Sequence, residues 1–147
     1  MLDLAAPDAP AAIRQLVDSL ADTPGVADSP KLLADTLARE AILSTYTGDG
    51  VALPHARTDA VTTCVVAVAR SPVGVPFGPQ GEKAHLIVLI GCPREEVGTY
   101  LTFSRRLLRR LREPAVRAHL MAATDAAKFL QILDLGEFAP AAGSAAP

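Results

Sequence analysis

Aromatic residues are scarce in this chain of 147 residues, which has four phenylalanines, two tyrosines and no tryptophan. That leaves no row of rings on which single-stranded bases would stack. An excess of one charge is also missing: 14 Lys and Arg against 16 Asp and Glu leave a net charge of −2, with no electrostatic footprint for nucleic acid. No apolar run approaches the ~20 residues of a membrane helix, and the start Met1-Leu2-Asp3-Leu4 lacks the basic opening of a secretory signal. The expectation is a cytoplasmic protein that binds no nucleic acid and has no direct membrane insertion. Cysteine is limited to Cys64 and Cys92, each in an apolar stretch and without redox or metal-ligand spacing. Both are expected as small buried core residues rather than as a disulfide. The three histidines, His55, His85 and His119, form no metal-ligand spacing with each other or with the cysteines, and no cofactor is expected.

What is present is a globular composition, half hydrophobic and one fifth charged, long enough for one domain with a substantial core. Asp8-Ala9-Pro10 starts a helix that repeats apolar residues at Ile13, Leu16, Val17 and Leu20, and Thr23-Pro24-Gly25 ends it. Ser29-Pro30 opens a second helix that runs to Arg39-Glu40. Ala41 to Asp49 reads as a loop or short irregular strand. Val61 to Ala69 is rich in β-branched residues and reads as a buried strand. Ser71 to Gly81 reads as a loop, with alternating Val73, Val75 and Phe77 as a possible edge strand. Ala84 to Cys92 is a further strand, entered at His85 and closed by Pro93. From Glu95 the chain turns helical, with Phe103, Leu107 and Leu111 at helical spacing and Arg105, Arg106, Arg109, Arg110 and Arg112 on other faces. That arginine run reads as a solvated face or as a patch for an acidic partner. Pro114 opens another helix, and Thr124-Asp125 caps a last one through Phe129 and Leu133. Helices first, strands in the middle and helices last give an α/β fold around a mixed sheet. The domain is expected over residues 1–138, and 139–147, without core-forming residues, as a disordered tail or linker.

The densest chemistry lies in Gly48-Asp49-Gly50-Val51-Ala52-Leu53-Pro54-His55-Ala56. The glycines flanking Asp49 suit a tight turn, Val51 to Leu53 suit a short buried strand, and Pro54 interrupts regular pairing. His55 is thereby placed where a strand runs out. An imidazole there either closes the turn on backbone or faces a cleft as a neutral nucleophile near neutral pH.

Arg39-Glu40, Ser44-Thr45 and the segment Gly48 to Ala56 resemble the fructose- and mannitol-type enzyme IIA domain of the bacterial phosphotransferase system. The resemblance extends from about Leu4 to Leu135, through the strand Ala84 to Cys92, Pro93 and the helices that follow. It implies a mixed central β-sheet flanked by helices on both faces. It also implies that His55 takes a phosphoryl group from the histidine phosphocarrier protein and passes it to a IIB domain. Arg39 matches the family's arginine that faces the active histidine, and a guanidinium fork suits phosphate oxygens. Its other reading is an ion pair with an acid such as Glu40. Arg57, where nitrogen-regulatory members often carry lysine, is either a second contact or exposed, and Thr45 serves either phosphate or the loop backbone. Tyr100 stands where the family usually has a second histidine, so one positive charge is missing. Tyr100 then either hydrogen-bonds in the site or packs over it. Two functions follow from the resemblance: a working phosphocarrier, or a regulatory IIA-like module that controls a kinase, transporter or other target.

Overall fold

The computed structural model of the chain describes residues 1–136, so the tail expected at 139–147 lies outside the described residues. The chain begins with two helices, α1 (Ala9–Leu20) and α2 (Ser29–Ile42). Asp8 and Asp28 cap them, their carboxylates accepting from the Ala11 and Lys31 amides, and each helix has proline in its first turn. Five strands follow: β1 (Tyr46–Gly48), β2 (Val51–Ala52), β3 (His55–Arg57), β4 (Val65–Pro76) and β5 (Lys83–Cys92). Three helices close the described chain: α3 (Val97–Leu111), α4 (Pro114–Ala122) and α5 (Ala126–Leu133), the last capped by Asp125.

All five strands form one mixed sheet around β5. β2 and β3 run parallel to β5 on one side, in register Val51↔Leu86 and His55↔Ile90, while β4 runs antiparallel on the other, Val65↔Gly91 to Pro76↔Lys83. β1 adds to β2 through a hairpin whose turn residues Asp49 and Gly50 both have positive φ, the backbone that a two-residue hairpin turn requires. Because β5 is covered on both faces, its sequence is apolar almost throughout rather than alternating. Ala84, Ile87 and Leu89 pack toward the layer of α1 and α2, and Leu86, Val88, Ile90 and Cys92 pack toward α3, α4 and α5. The mixed sheet with helices on both faces is therefore as expected.

Several local expectations change. β4 begins at Val65, not Val61: Thr62 and Thr63 are exposed, and the Thr62 amide donates to the Gly25 carbonyl. At its other end the strand continues past Ser71 to Pro76 across a register shift between Arg70 and Val75, so the edge strand offered by Val73 and Val75 is present as the end of β4. Proline is tolerated there because β4 is an edge strand, paired with β5 alone among the named strands. α2 runs two residues beyond Glu40, into what read as loop.

The cysteines are a second correction. Cys64 and Cys92 form a disulfide, and no free cysteine occurs among the described residues. They are 28 positions apart, so spacing gives no hint of it. The ladder does: Val65 faces Gly91, which sets the two cysteines opposite each other one step further on, with Cα atoms 4.1 Å apart.

Arg70 ties the edges of the molecule together. It is 9% exposed, yet its guanidinium donates to the carbonyls of Leu2, Leu120, Met121 and Ala123. The last three close α4, where a cation also complements the helix dipole.

Candidate functional site

The sheet ends in a cleft at the carboxyl end of β5. A cavity of about 570 Å³ lies there, lined by Asp35 and Arg39 of α2, His55, Ala56 and Arg57 of β3, Arg94 after β5, and Val97, Tyr100 and Leu101 of α3. It thus sits between the two helical layers, at the carboxyl end of parallel strands where open α/β sheets tend to bind ligands. Gly91 brings α2 close to this end of the sheet: a Cβ there would lie 3.0 Å from Leu32 Cδ1 and 3.2 Å from Val65 Cγ2.

Pro54 separates β2 from β3, and His55 opens β3 rather than ending a strand. Leu53 is held on both sides of the peptide. Its amide donates to the Thr45 carbonyl at 3.1 Å, and its carbonyl accepts from His55 Nδ1 at 3.0 Å. A carbonyl only accepts, so Nδ1 carries the hydrogen and, in the neutral ring, Nε2 carries the lone pair. Burial, first, and then the Arg39 and Arg57 charges hold the His55 pKa below the ordinary imidazole value, against the opposing pull of the Leu53 carbonyl and Glu40. The neutral, nucleophilic form is favoured at neutral pH.

Thr45 and Glu40 act behind this arrangement. Glu40 accepts from the Thr45 amide at 3.0 Å through Oε1 and from the Thr45 hydroxyl at 2.6 Å through Oε2. Neither residue lines the cavity. The Thr45 hydroxyl thus donates to a carboxylate of α2 rather than to loop backbone. A connected path runs from the end of α2 to the imidazole: Glu40 holds Thr45, Thr45 holds Leu53, and Leu53 holds His55.

Arg39 does not pair with Glu40. Its Nη1 donates to the Leu43 carbonyl at 2.9 Å, and among the described residues it forms no ion pair. Its charge stays available to the cavity. Arg57 is exposed at the cavity wall. Tyr100 packs its ring against His55, centroids 5.2 Å apart and planes tilted by 33°. Burial raises the Tyr100 pKa, outweighing Arg39 and Arg57, so the phenol keeps its proton and remains a donor.

Asp35, Thr58 and Arg94 were missed from sequence. Asp35 accepts from Thr58 Oγ1 at 2.5 Å and from Lys31 Nζ at 2.9 Å, and the Thr58 hydrogen bond, then Lys31, lower its pKa. Arg94 donates through Nε to Asp59 at 2.7 Å, with both side chains largely exposed. Asp35 was legible in principle, since it stands four residues before Arg39 and so on the same helix face. Arg94 carried no comparable signal beyond following Pro93. His85, by contrast, hydrogen-bonds at its strand entry, Nδ1 donating to the Ser71 carbonyl at 2.9 Å, and His119 is exposed. Among the described residues no cluster of His, Cys, Asp and Glu could hold a metal ion, and no helix is long and apolar enough to cross a membrane.

Residues 1–135 match the family described as phosphoenolpyruvate-dependent sugar phosphotransferase system, EIIA 2. The fructose-specific EIIA component of Haloferax volcanii is 36% identical over 113 residues, 76% of this chain and 73% of that protein. The 2-O-alpha-mannosyl-D-glycerate-specific EIIABC component of Escherichia coli is 32% identical over 126 residues, 84% of this chain but only 19% of that longer protein. Among solved structures, the nitrogen regulatory protein IIA-Ntr from Neisseria meningitidis superposes with a TM-score of 0.82 at 26% identity, covering 90% of each chain. Enzyme IIA mannitol of Escherichia coli, in its complex with phosphorylated enzyme IIB mannitol, superposes with a TM-score of 0.75 at 25% identity, covering 90% of this chain and 92% of that one.

Proposed function

Since the chain belongs to the EIIA 2 family of the phosphoenolpyruvate-dependent sugar phosphotransferase system, we propose that it is a phosphocarrier whose His55 accepts a phosphoryl group from the histidine phosphocarrier protein and passes it to a IIB partner. One observation carries this reading: an imidazole with Nδ1 fixed on the Leu53 carbonyl shares a cavity with Arg39, Arg57 and Arg94.

The transfer follows from that geometry. The Nε2 lone pair attacks phosphorus as the donor's P–N bond breaks, and the departing imidazole keeps the electron pair. The transition state is loose, so the protein's tasks are alignment and charge compensation. As the N–P bond forms, positive charge develops on the ring, and the Leu53 carbonyl stabilises it through the Nδ1 hydrogen. The arginines offset the phosphoryl oxygens, Arg39 and Arg57 with no carboxylate paired to them among the described residues and Arg94 shared with Asp59. Passage to the next acceptor reverses these steps. Exposed Ile42 and Leu43 follow Arg39 at the end of α2, and exposed Val97 and Leu101 line the cavity from α3. Such an apolar border around a cationic centre suits a partner protein that presents a phosphorylated or phosphate-accepting side chain. The solved complex of a related IIA with phosphorylated IIB supports the same pairing for this chain.

A regulatory module is the second reading. It is favoured by the likeness to a nitrogen regulatory IIA protein and by Tyr100, which cannot supply the positive charge of a second histidine. Incubation with phosphoenolpyruvate, enzyme I and the histidine phosphocarrier protein tests the carrier reading. Intact mass should show one acid-labile phosphoryl group on the wild type and none on His55→Ala. Failure of the wild type to label, where a control IIA labels, would leave the regulatory reading.

A further inference from the structure

We propose that Cys64 and Cys92 form a thiol–disulfide site that sets the geometry of the His55 cavity. They bridge β4 and β5 one residue beyond the last paired step, Val65↔Gly91, at the end of the hairpin that faces the cleft. Cys92 is 1% exposed, whereas Cys64 is partly exposed, so an incoming thiolate reaches Cys64 Sγ.

Cys92 also lies in the frame of the cavity. It pairs with Arg57 across β3 and β5, and its carbonyl accepts from the Thr58 amide at 2.8 Å. Thr58 Oγ1 in turn holds Asp35, which lines the cavity one helical turn before Arg39. On the other side of Cys92, Pro93 leads directly to Arg94, also in the cavity wall. Cys64 packs against the same apolar cluster as Tyr100. A covalent tie at Cys92 therefore fixes a point through which Arg57, Asp35 and Arg94 are positioned together.

The exchange balances with a dithiol as reductant. Its thiolate attacks Cys64 Sγ, the bridge breaks, and Cys92 leaves as a thiolate and is protonated. The reductant's second thiol then resolves the mixed disulfide and releases Cys64. Two electrons and two protons pass from the dithiol, which becomes a disulfide. A low-molecular-weight disulfide reverses the reaction by the same exchange. The bridged form holds the cavity groups in place and is the faster in phosphoryl transfer, by roughly three- to tenfold on the scale of misalignment effects. That rate rests on the phosphocarrier reading, but the exchange and its effect on His55 do not.

Three measurements on the full chain test this. Alkylation and intact mass across a series of glutathione redox buffers should show both thiols converting together, with a loss of two hydrogens. NMR of the His55 ring should give one titration curve for the bridged protein and a different one shared by the dithiothreitol-reduced protein and Cys64→Ser/Cys92→Ser. Phosphoryl uptake from the phosphorylated phosphocarrier protein should be slower in the reduced and doubly substituted forms. Reduced wild type serves as the readout if the double variant does not fold. Cysteines that remain separately alkylatable in every buffer, or a His55 titration and uptake rate indifferent to the bridge, would overturn the proposal. A bridge-dependent His55 titration with no uptake in any state would uphold it and refute the phosphocarrier reading instead.

Discussion

Burial and the charges of Arg39 and Arg57 hold His55 toward its neutral form, so in the proposed transfer the charges that would meet phosphate also keep the imidazole unprotonated. The sign of the pH effect follows. The folded pKa lies below the unfolded value of about 6.5, so between the two the unfolded chain holds a proton that the folded chain does not. Stability from this group is present above about 6.5, falls as pH drops toward the folded value, and levels off below it. Urea unfolding should therefore show wild type losing more stability than His55→Gln on going from about pH 7 to pH 5. Tyr100 gives a second residue-scale prediction. If the missing positive charge limits transfer, Tyr100→His labels faster than wild type in a quench-flow assay, and an equal rate would show that the phenol is no handicap. Glu40 gives a third: Glu40→Ala removes both acceptors of Thr45 and loosens the path to Leu53. Its uptake rate should fall about tenfold or more, while Glu40→Gln, which can still accept one of the two hydrogen bonds, should recover part of it.

At the scale of elements, the clearest sequence signals were those written locally. Asp8 and Asp125 precede helices that they do cap, and Gly48-Asp49-Gly50 forms the expected turn. Strand limits were less legible because pairing, not composition, fixes them. Thr62 and Thr63 have strand-like side chains but no ladder partner, whereas Val73 and Val75, whose alternation did show through the glycine and proline, are not a separate strand but the end of β4 past the register shift. The disulfide was hidden for the same reason, since only the β4–β5 register brings its cysteines together. Arg70 was equally silent: in sequence it ends an apolar run, and in the fold it joins Leu2 to the end of α4. Arg70→Met should cost at least about 2 kcal/mol, because charge-assisted hydrogen bonds are lost and buried carbonyls remain. On a chain of this size, calorimetry would register that as a fall in Tm of roughly 4 °C or more.

At the scale of the whole molecule, the site exists because two helical layers meet at one end of the sheet. Arg39 comes from one layer, Tyr100 from the other, and His55 and Arg57 from the strand between them. Sequence resemblance gave the imidazole, Arg39 and Tyr100, but not Asp35, Thr58 or Arg94, which join them only through packing. It left Thr45 between phosphate and the loop and gave Glu40 as a partner for Arg39, while the fold joins the two to each other and, through the Thr45 carbonyl, to Leu53. In the proposed transfer, Leu53 leaves Nε2 of His55 as the phosphoryl acceptor, which ¹⁵N NMR of the labelled chain tests. After incubation with phosphoenolpyruvate, enzyme I and the phosphocarrier protein, phosphorus coupling and a large shift are expected at His55 Nε2, with Nδ1 keeping its hydrogen. Phosphorus on Nδ1, on His85 or His119, or on no histidine of a folded sample would contradict it.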